Sequence, residues 1–193
     1  MRSKRMFTQE VILESERILL RQIRMEDLED LFLLYSNEKI YKYRPGVIKK
    51  TKESVEKFIQ NSLKEYEARE ALYFAICLKE YPERVIGVAE LFGIDKMVEM
   101  VNIGYSINED YWNQGIATEV AGILIRYLFE EIEVNRIQAH VMPENKPSER
   151  VLLKNGMSRE GLIRQGAMWN GKGIVDVNQF SYIKEDYLNL KNA

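Results

Sequence analysis

Scarcity is the first information in this sequence. It has one cysteine, Cys77, and one histidine, His140, among 193 residues. A lone cysteine closes no intramolecular disulfide, and one His with one Cys falls short of a zinc ligand set, so disulfide scaffolds and zinc modules are excluded. Four prolines and eleven glycines are spread thinly, with no repeat, low-complexity tract or flexible linker to divide the chain. Neither charge sign dominates: 28 Lys and Arg stand against 30 Asp and Glu, a net charge of −2, so no overall basic field attracts nucleic acid. The longest uncharged stretch, Met100 to Asn108, has nine residues, whereas a membrane-spanning helix needs about 20 apolar ones. The basic start is followed by Glu10, Glu14 and Glu16 where a secretory signal has its apolar run, so the expected location is cytoplasmic, away from membranes. Gly-x-x-x-x-Gly-Lys-Ser/Thr, Gly-x-Gly-x-x-Gly and Gly-x-Ser-x-Gly are all absent, so an NTPase, a dinucleotide dehydrogenase and a serine hydrolase each lack their signature.

With 46% hydrophobic residues the chain can bury a core, and one domain over 1–193 is expected, with 1–14 as a short N-terminal extension. Residues 17–24 read as a strand, and Leu28, Leu31, Phe32 and Tyr35 recur at helical spacing behind an acidic first turn. After Pro45-Gly46, a turn, Val55, Phe58, Ile59, Leu63 and Tyr66 form the stripe of a second helix. Three strands follow over 71–78, 84–94 and 98–107. In the third, Val101, Ile103, Tyr105 and Ile107 alternate with Asn102, Gly104, Ser106 and Asn108, so one face can pack while the other serves a ligand. Ile116, Val120, Ile123, Leu124 and Tyr127 mark a third helix, Ile137, Ala139 and Val141 a strand, and Pro147 the first turn of a short helix ending near Asn155-Gly156. Two last strands flank Asn170-Gly171. The order describes an α+β or mixed α/β domain with a largely antiparallel early sheet.

Two clusters carry chemistry. In Trp112-Asn113-Gln114-Gly115-Ile116-Ala117-Thr118 small residues lead into a helix whose N-terminal amides suit phosphate, although taken alone Gly115 more commonly makes only a tight turn. Asn145 and Ser148 bracket the first turn of the short helix, where capping is the commoner role. Cys77, inside Tyr73-Phe74-Ala75-Ile76-Cys77-Leu78, reads as core, and His140, between Ala139 and Val141, as structural or surface. Tyr41, Tyr43 and Arg44 stand before Pro45, where solvated loop side chains are as good a reading as a binding role.

In order and setting these clusters resemble the GCN5-related N-acetyltransferase (GNAT) superfamily, and within it the group that acetylates ribosomal-protein N-termini with its small-molecule relatives. The fragments are Glu16-Arg17-Ile18-Leu19-Leu20-Arg21, Glu26-Asp27-Leu28-Glu29-Asp30-Leu31-Phe32, Ile86-Gly87, Ile103-Gly104-Tyr105-Ser106-Ile107, Tyr111 to Glu119, Asn145-x-x-Ser148 and Glu160-Gly161. The resemblance implies a central, mostly antiparallel twisted sheet of about seven strands flanked by about four helices, with two central strands splayed to admit acetyl-CoA. It implies transfer of acetyl from acetyl-CoA to a primary amine, a peptide N-terminus or a small molecule, by direct attack in a ternary complex. No metal is required, and the enzyme would be a monomer or homodimer. Main-chain groups near Ile107 would pair with the pantetheine arm, and Asn113, Gln114, Gly115, Ile116, Ala117 and Thr118 would hold the pyrophosphate. Asn145 would hold the pantetheine or order a water, and Ser148 would protonate the departing thiolate, because Leu152-Leu153 stand where many members have a Tyr. A backbone amide at the splay would act as oxyanion donor.

Trp112 and Asn113 depart from the usual loop signature, but amides rather than those side chains hold phosphate. Ala167 stands where the ribosomal-protein enzymes carry a Glu base, which motivates the alternative of a non-catalytic acyl-CoA sensor or interaction module. Glu90 and Tyr105 are the substitute bases, with deprotonation relayed by water. An α-amine of pKa about 8 costs roughly 1.4 kcal/mol to deprotonate at pH 7 and a lysine-like amine roughly 4.6 kcal/mol, so a weak base suits an α-amine or another amine of lowered pKa.

Overall fold

The computed structural model describes residues 6–7, 11–169 and 172–191. Asn170-Gly171, expected between the last two strands, lie outside the described residues. Two short strands open the chain, β1 (Leu13–Glu14) and β2 (Ile18–Gln22). The helices α1 (Leu28–Tyr35) and α2 (Lys52–Ala68) follow, then the meander β3 (Leu72–Leu78), β4 (Tyr81–Asp95) and β5 (Met100–Ile107). The second half runs α3 (Ile116–Arg126), β6 (Arg136–Val141), α4 (Lys146–Lys154), β7 (Ser158–Trp169), β8 (Gly173–Ile183) and α5 (Lys184–Lys191). Among the described residues there are thus eight strands rather than about seven and five α-helices rather than about four. The additions are β1, two residues long, and α5, whose residues are not buried. Neither leaves a periodic pattern to read.

Local chemistry explains the boundaries. Arg21 grips Asp27 through two hydrogen bonds of 2.9 and 2.7 Å, and the same carboxylate accepts from the Arg24 amide at 2.9 Å, which fixes the entry to α1. Thr51 caps α2 by accepting from the Ser54 amide, and α2 stops at Arg69, which turns left-handed at φ 62°. Its stripe puts Val55 and Ile59 at 0% exposure, and full burial of such side chains stabilises by about 1.5–3 kcal/mol each.

The sheet runs β1-β2-β3-β4-β5-β6-β8-β7. Every neighbouring pair is antiparallel except β5 and β6, which are parallel. Residues of α1 and α2 pack with Ala75, Cys77, Val85 and Val88 on one face. Residues of α3 and Leu152 of α4 pack with Ala89, Leu91, Val101 and Ile103 on the other. Phe129 after α3 stacks on Tyr187 of α5 at 4.8 Å between ring centres. No helix among the described residues is long and apolar enough to cross a membrane.

The alternation expected of 98–107 is present, and most of the strand is covered, with Gly104 and Tyr105 left half-buried. Asn102 and Ser106 are buried along with Val101, Ile103 and Ile107, because helices cover both sides of the sheet.

Candidate active site

The parallel pairing of β5 with β6 covers only Met100–Asn102 against Arg136–Gln138. Beyond it β5 continues from Ile103 to Ile107 bonded to β4, while Ala139–Val141 of β6 continue bonded to β8. The two strands therefore part in the middle of the sheet, leaving the main-chain groups of one β5 edge without a sheet partner. A cleft of about 310 Å³ opens at the split. Ile103 to Ser106 and Ala139 to Val141 form its two strand walls, Asn145, Ser148 and Leu152 of the α4 region close one side, and Tyr43, Arg44, Pro45, Glu90, Phe92 and the 166–169 segment of β7 the other.

Four sequence-selected residues, Glu90, Tyr105, Asn145 and Ser148, meet at this cleft. The Asn145 side chain accepts from the Ser148 amide at 3.3 Å, so it caps α4 while lining the cleft. The Ser148 hydroxyl lies 2.9 Å from the Tyr105 hydroxyl. Burial pushes the Tyr105 phenol up to about 12, opposed only by the contact with Ser148. Behind α4, Asn178 is fully buried, donates to Glu149 at 2.5 Å and accepts from Arg159 at 2.7 Å, which pins the helix to β8.

Glu90 belongs to the opposite face. Its carboxylate accepts from Arg44 at 3.1 Å, with the two side chains only 20% and 17% exposed. The Arg44 guanidinium also stacks over the rings of Tyr35 at 4.8 Å and Tyr41 at 5.9 Å. Burial works against the Arg44 charge, yet Tyr35, Glu90 and Tyr41 outweigh it and hold its pKa above the usual value. Ala167 lines the cleft from β7, next to a bulge in which Gln165 takes φ 52° and donates its amide to Asp176 at 2.7 Å.

Of the remaining selected residues, Ile107 ends β5 and the others form the loop into α3 and its first turn; none of them lines this cleft. Asn113, Gln114 and Gly115 are exposed, with Asn113 at φ 60° and Gly115 at φ 79°. Gly115 occupies the cap position with no side-chain cap, so the first-turn amides at Ile116, Ala117 and Thr118 are presented without a competing side chain. The Ile116 side chain is core at 2% exposure, while Ala117 and Thr118 are half-buried. The Ile107 carbonyl accepts the Trp112 indole N–H at 2.7 Å, which ties the loop back to the end of β5.

Several residues beyond those selected build the site. Arg17 bonds Glu119 in the first turn of α3 at 2.5 Å and reaches the Gln114 carbonyl at 3.5 Å, with Ser15 on the other Glu119 oxygen. Burial would raise the Glu119 carboxyl, but Ser15 and Arg17 hold it below its usual range. Asn155 donates to the Thr118 and Val151 carbonyls at 3.1 and 2.9 Å, clamping α4 to α3 where Gly122 leaves room. Arg17 lies inside a fragment the resemblance quotes, but its partner 102 positions away leaves no local signal. Cys77 is buried, as its strand context indicates, and burial pushes its thiol up to about 11. His140 is an exposed residue on the cleft wall, kept below its usual pKa by desolvation despite a bond with Gln179.

Residues 17–158 match the family model described as an acetyltransferase (GNAT) domain. The chain is 31% identical over 173 residues to the uncharacterized N-acetyltransferase YoaA of Bacillus subtilis, covering 90% of this chain and 97% of that protein. It is 26% identical to the ribosomal-protein-serine acetyltransferase of Escherichia coli over 90% of this chain and 97% of that one. Among solved structures, a GNAT-family acetyltransferase from Bacillus anthracis superposes with a TM-score of 0.79 at 27% identity, covering 91% of this chain and 99% of that chain. With its sheet split at the cleft and its family model spanning most of the sequence, the chain belongs to the GNAT family of N-acetyltransferases.

Proposed function

We propose that this enzyme transfers acetyl from acetyl-CoA to a primary amine by direct attack, with the donor and the acceptor entering the split sheet from opposite faces. The observation that carries the reading is the parting of β5 from β6 after Asn102 and Gln138, with hydroxyls on one side and a carboxylate on the other. The uncapped start of α3 suits the pyrophosphate, since amides and helix dipole both favour anions there. The β5 edge from Ile103 to the Ile107 amide, which has no sheet partner, suits the pantetheine amides.

In the reaction the amine nitrogen bonds the acetyl carbon, the carbon–sulfur bond breaks, the sulfur takes a proton and the amine gives one up. Tyr105, with its phenol near 12, stays protonated at neutral pH 2.9 Å from the Ser148 hydroxyl, and in the proposed relay it is the donor to Ser148. Ser148 in turn donates to the departing sulfur. Of the two substitute bases, Tyr105 thus acts with Ser148 on the leaving group, and the proton from the amine passes through water to Glu90. With Ala167 offering no base of its own, the acceptor is an α-amine of a peptide N-terminus or a small amine of lowered pKa.

The test is release of CoA thiol from acetyl-CoA with a panel of amines. Amine-dependent release supports the reading. Saturable acetyl-CoA binding with no release for any amine would leave a sensor with this fold and overturn it.

A further inference from the structure

The acceptor side of the cleft has a charge pattern unlike that of the chain as a whole. Overall the protein is slightly acidic, with a net charge of −2. Around Tyr43, on the cleft's acceptor wall, ammonium groups gather. Tyr43 lines the cleft, and two ammonium groups lie over its ring, Lys42 at 5.1 Å and Lys172 at 5.5 Å. Both lysines are exposed, and neither forms an ion pair among the described residues. Lys172 also donates to the Lys42 carbonyl, so the two elements that carry these charges are tied to each other. Arg44 adds a third cation inside the cleft, and Lys49 a fourth behind it, over the rings of Tyr35 and Phe58. Desolvation and repulsion from Arg44 lower the Lys49 pKa, as expected where cations crowd. Glu90 is the single carboxylate among the cleft-lining residues, and Arg44 already engages it. Beside Tyr43, Trp169 is 5% exposed and keeps a buried indole N–H with no hydrogen-bond partner.

A polycation would meet like charges on this wall with one compensated carboxylate to receive it. An amine whose remainder is anionic finds the opposite: its nitrogen approaches Glu90 while its carboxylates meet the unpaired ammonium groups of Lys42 and Lys172, where a positive field raises local concentration and on-rate. We infer that the acceptor is a primary amine carrying carboxylate groups close to its nitrogen, an acidic amino acid or the N-terminus of an acidic peptide, and not a polyamine. The inference rests on the acetyl-transfer reading above and names the acceptor class for the same site.

The experiment measures kcat/KM for thiol release with Ala-Asp-Asp amide, Ala-Ser-Ser amide and Ala-Lys-Lys amide, together with free glutamate and spermidine, at low and high salt. The expected order places the acidic peptide at least tenfold above the basic one and above spermidine, with the advantage shrinking as salt screens the lysines. Turnover of free glutamate as well marks a small-molecule acceptor, and turnover of the acidic peptide alone marks a protein N-terminus. The double substitution Lys42→Gln/Lys172→Gln raises KM for the acidic peptide about 2- to 30-fold, the range for losing two partly exposed ion pairs, and Lys42→Glu/Lys172→Glu inverts the preference. Equal or better use of the basic peptide or spermidine, or a preference unchanged in the double variants, overturns this inference while leaving acetyl transfer standing. Absence of thiol release with every amine overturns the transfer reading and this inference with it.

Discussion

Glu90 and Tyr105 come from paired strands yet stand on opposite faces of the sheet. In the β4–β5 ladder Tyr105 is opposite Ala89 and Glu90 is opposite Gly104, so the one-residue offset sends the phenol to Ser148 and the carboxylate to Arg44. In the proposed acetyl transfer this would give the two proton transfers separate machinery, on either side of the sheet.

If Tyr105 and Ser148 act as one relay, each single loss removes the whole. Ser148→Ala and Tyr105→Phe should each lower kcat by about 10²-fold, the lower end for general acid catalysis. The double variant should be little worse than either single one. Steady-state kinetics beside acetyl-CoA titration checks this: a fall in affinity that matches the fall in kcat would assign the pair to binding.

The Arg44–Glu90 pair makes an asymmetric prediction. Arg44→Met leaves a mostly buried carboxylate without its partner and should destabilise by about 2–4 kcal/mol, whereas Arg44→Met with Glu90→Gln should recover much of that loss. Urea unfolding of the four forms gives the coupling, and kcat should fall in both forms that lack the Glu90 carboxylate.

Acetyl-CoA at 100 times its dissociation constant stabilises by about 2.7 kcal/mol, a rise of roughly 5 to 11 °C in the unfolding midpoint for a domain of this size. Gly115→Ala should weaken that rise. Its φ of 79° is unfavourable for a side chain although only Arg17 lies near the added carbon, so the strain falls on the α3 start itself. An undiminished midpoint shift in this variant would move the phosphates elsewhere.

Glu160 offers a pH signature remote from the chemistry. Arg136 and Ser181, over an opposing effect of burial, hold its carboxyl down at about 2. A carboxylate lowered in the fold adds stability that is complete above its ordinary pKa of about 4.3 and is lost as pH falls through the folded value. The difference in urea midpoint between the native chain and Glu160→Gln should therefore be full above about pH 5 and fade towards pH 2. The pair is 23% and 40% exposed, so the effect is modest and shrinks with added salt.

Periodicity made most elements legible in advance. The stripe from Val55 to Tyr66 and the alternation from Val101 to Ile107 are local, and the burial of Val55, Ile59, Val101 and Ile103 follows from it. The cleft residues Asn145 and Ser148 were legible because their motif lies within four positions. Arg44 was harder. Before Pro45 it reads equally as a solvated loop cation, and only the folded chain brings it between Tyr35, Tyr41 and a Glu90 lying 46 positions away. Lys42 and Lys172 are 130 positions apart and share one ring only after β7 and β8 have closed against the loop that follows α1.

The sequence by itself determined the elements, the core stripes, the phosphate-suited start of α3 and the family, since each depends on residue type at short spacing. Tertiary structure alone decided where β5 leaves β6, which candidate faces which side, and which charges gather around Tyr43. Those properties depend on where hydrogen-bond pairing stops and on which distant side chains then become neighbours, and no local pattern encodes either.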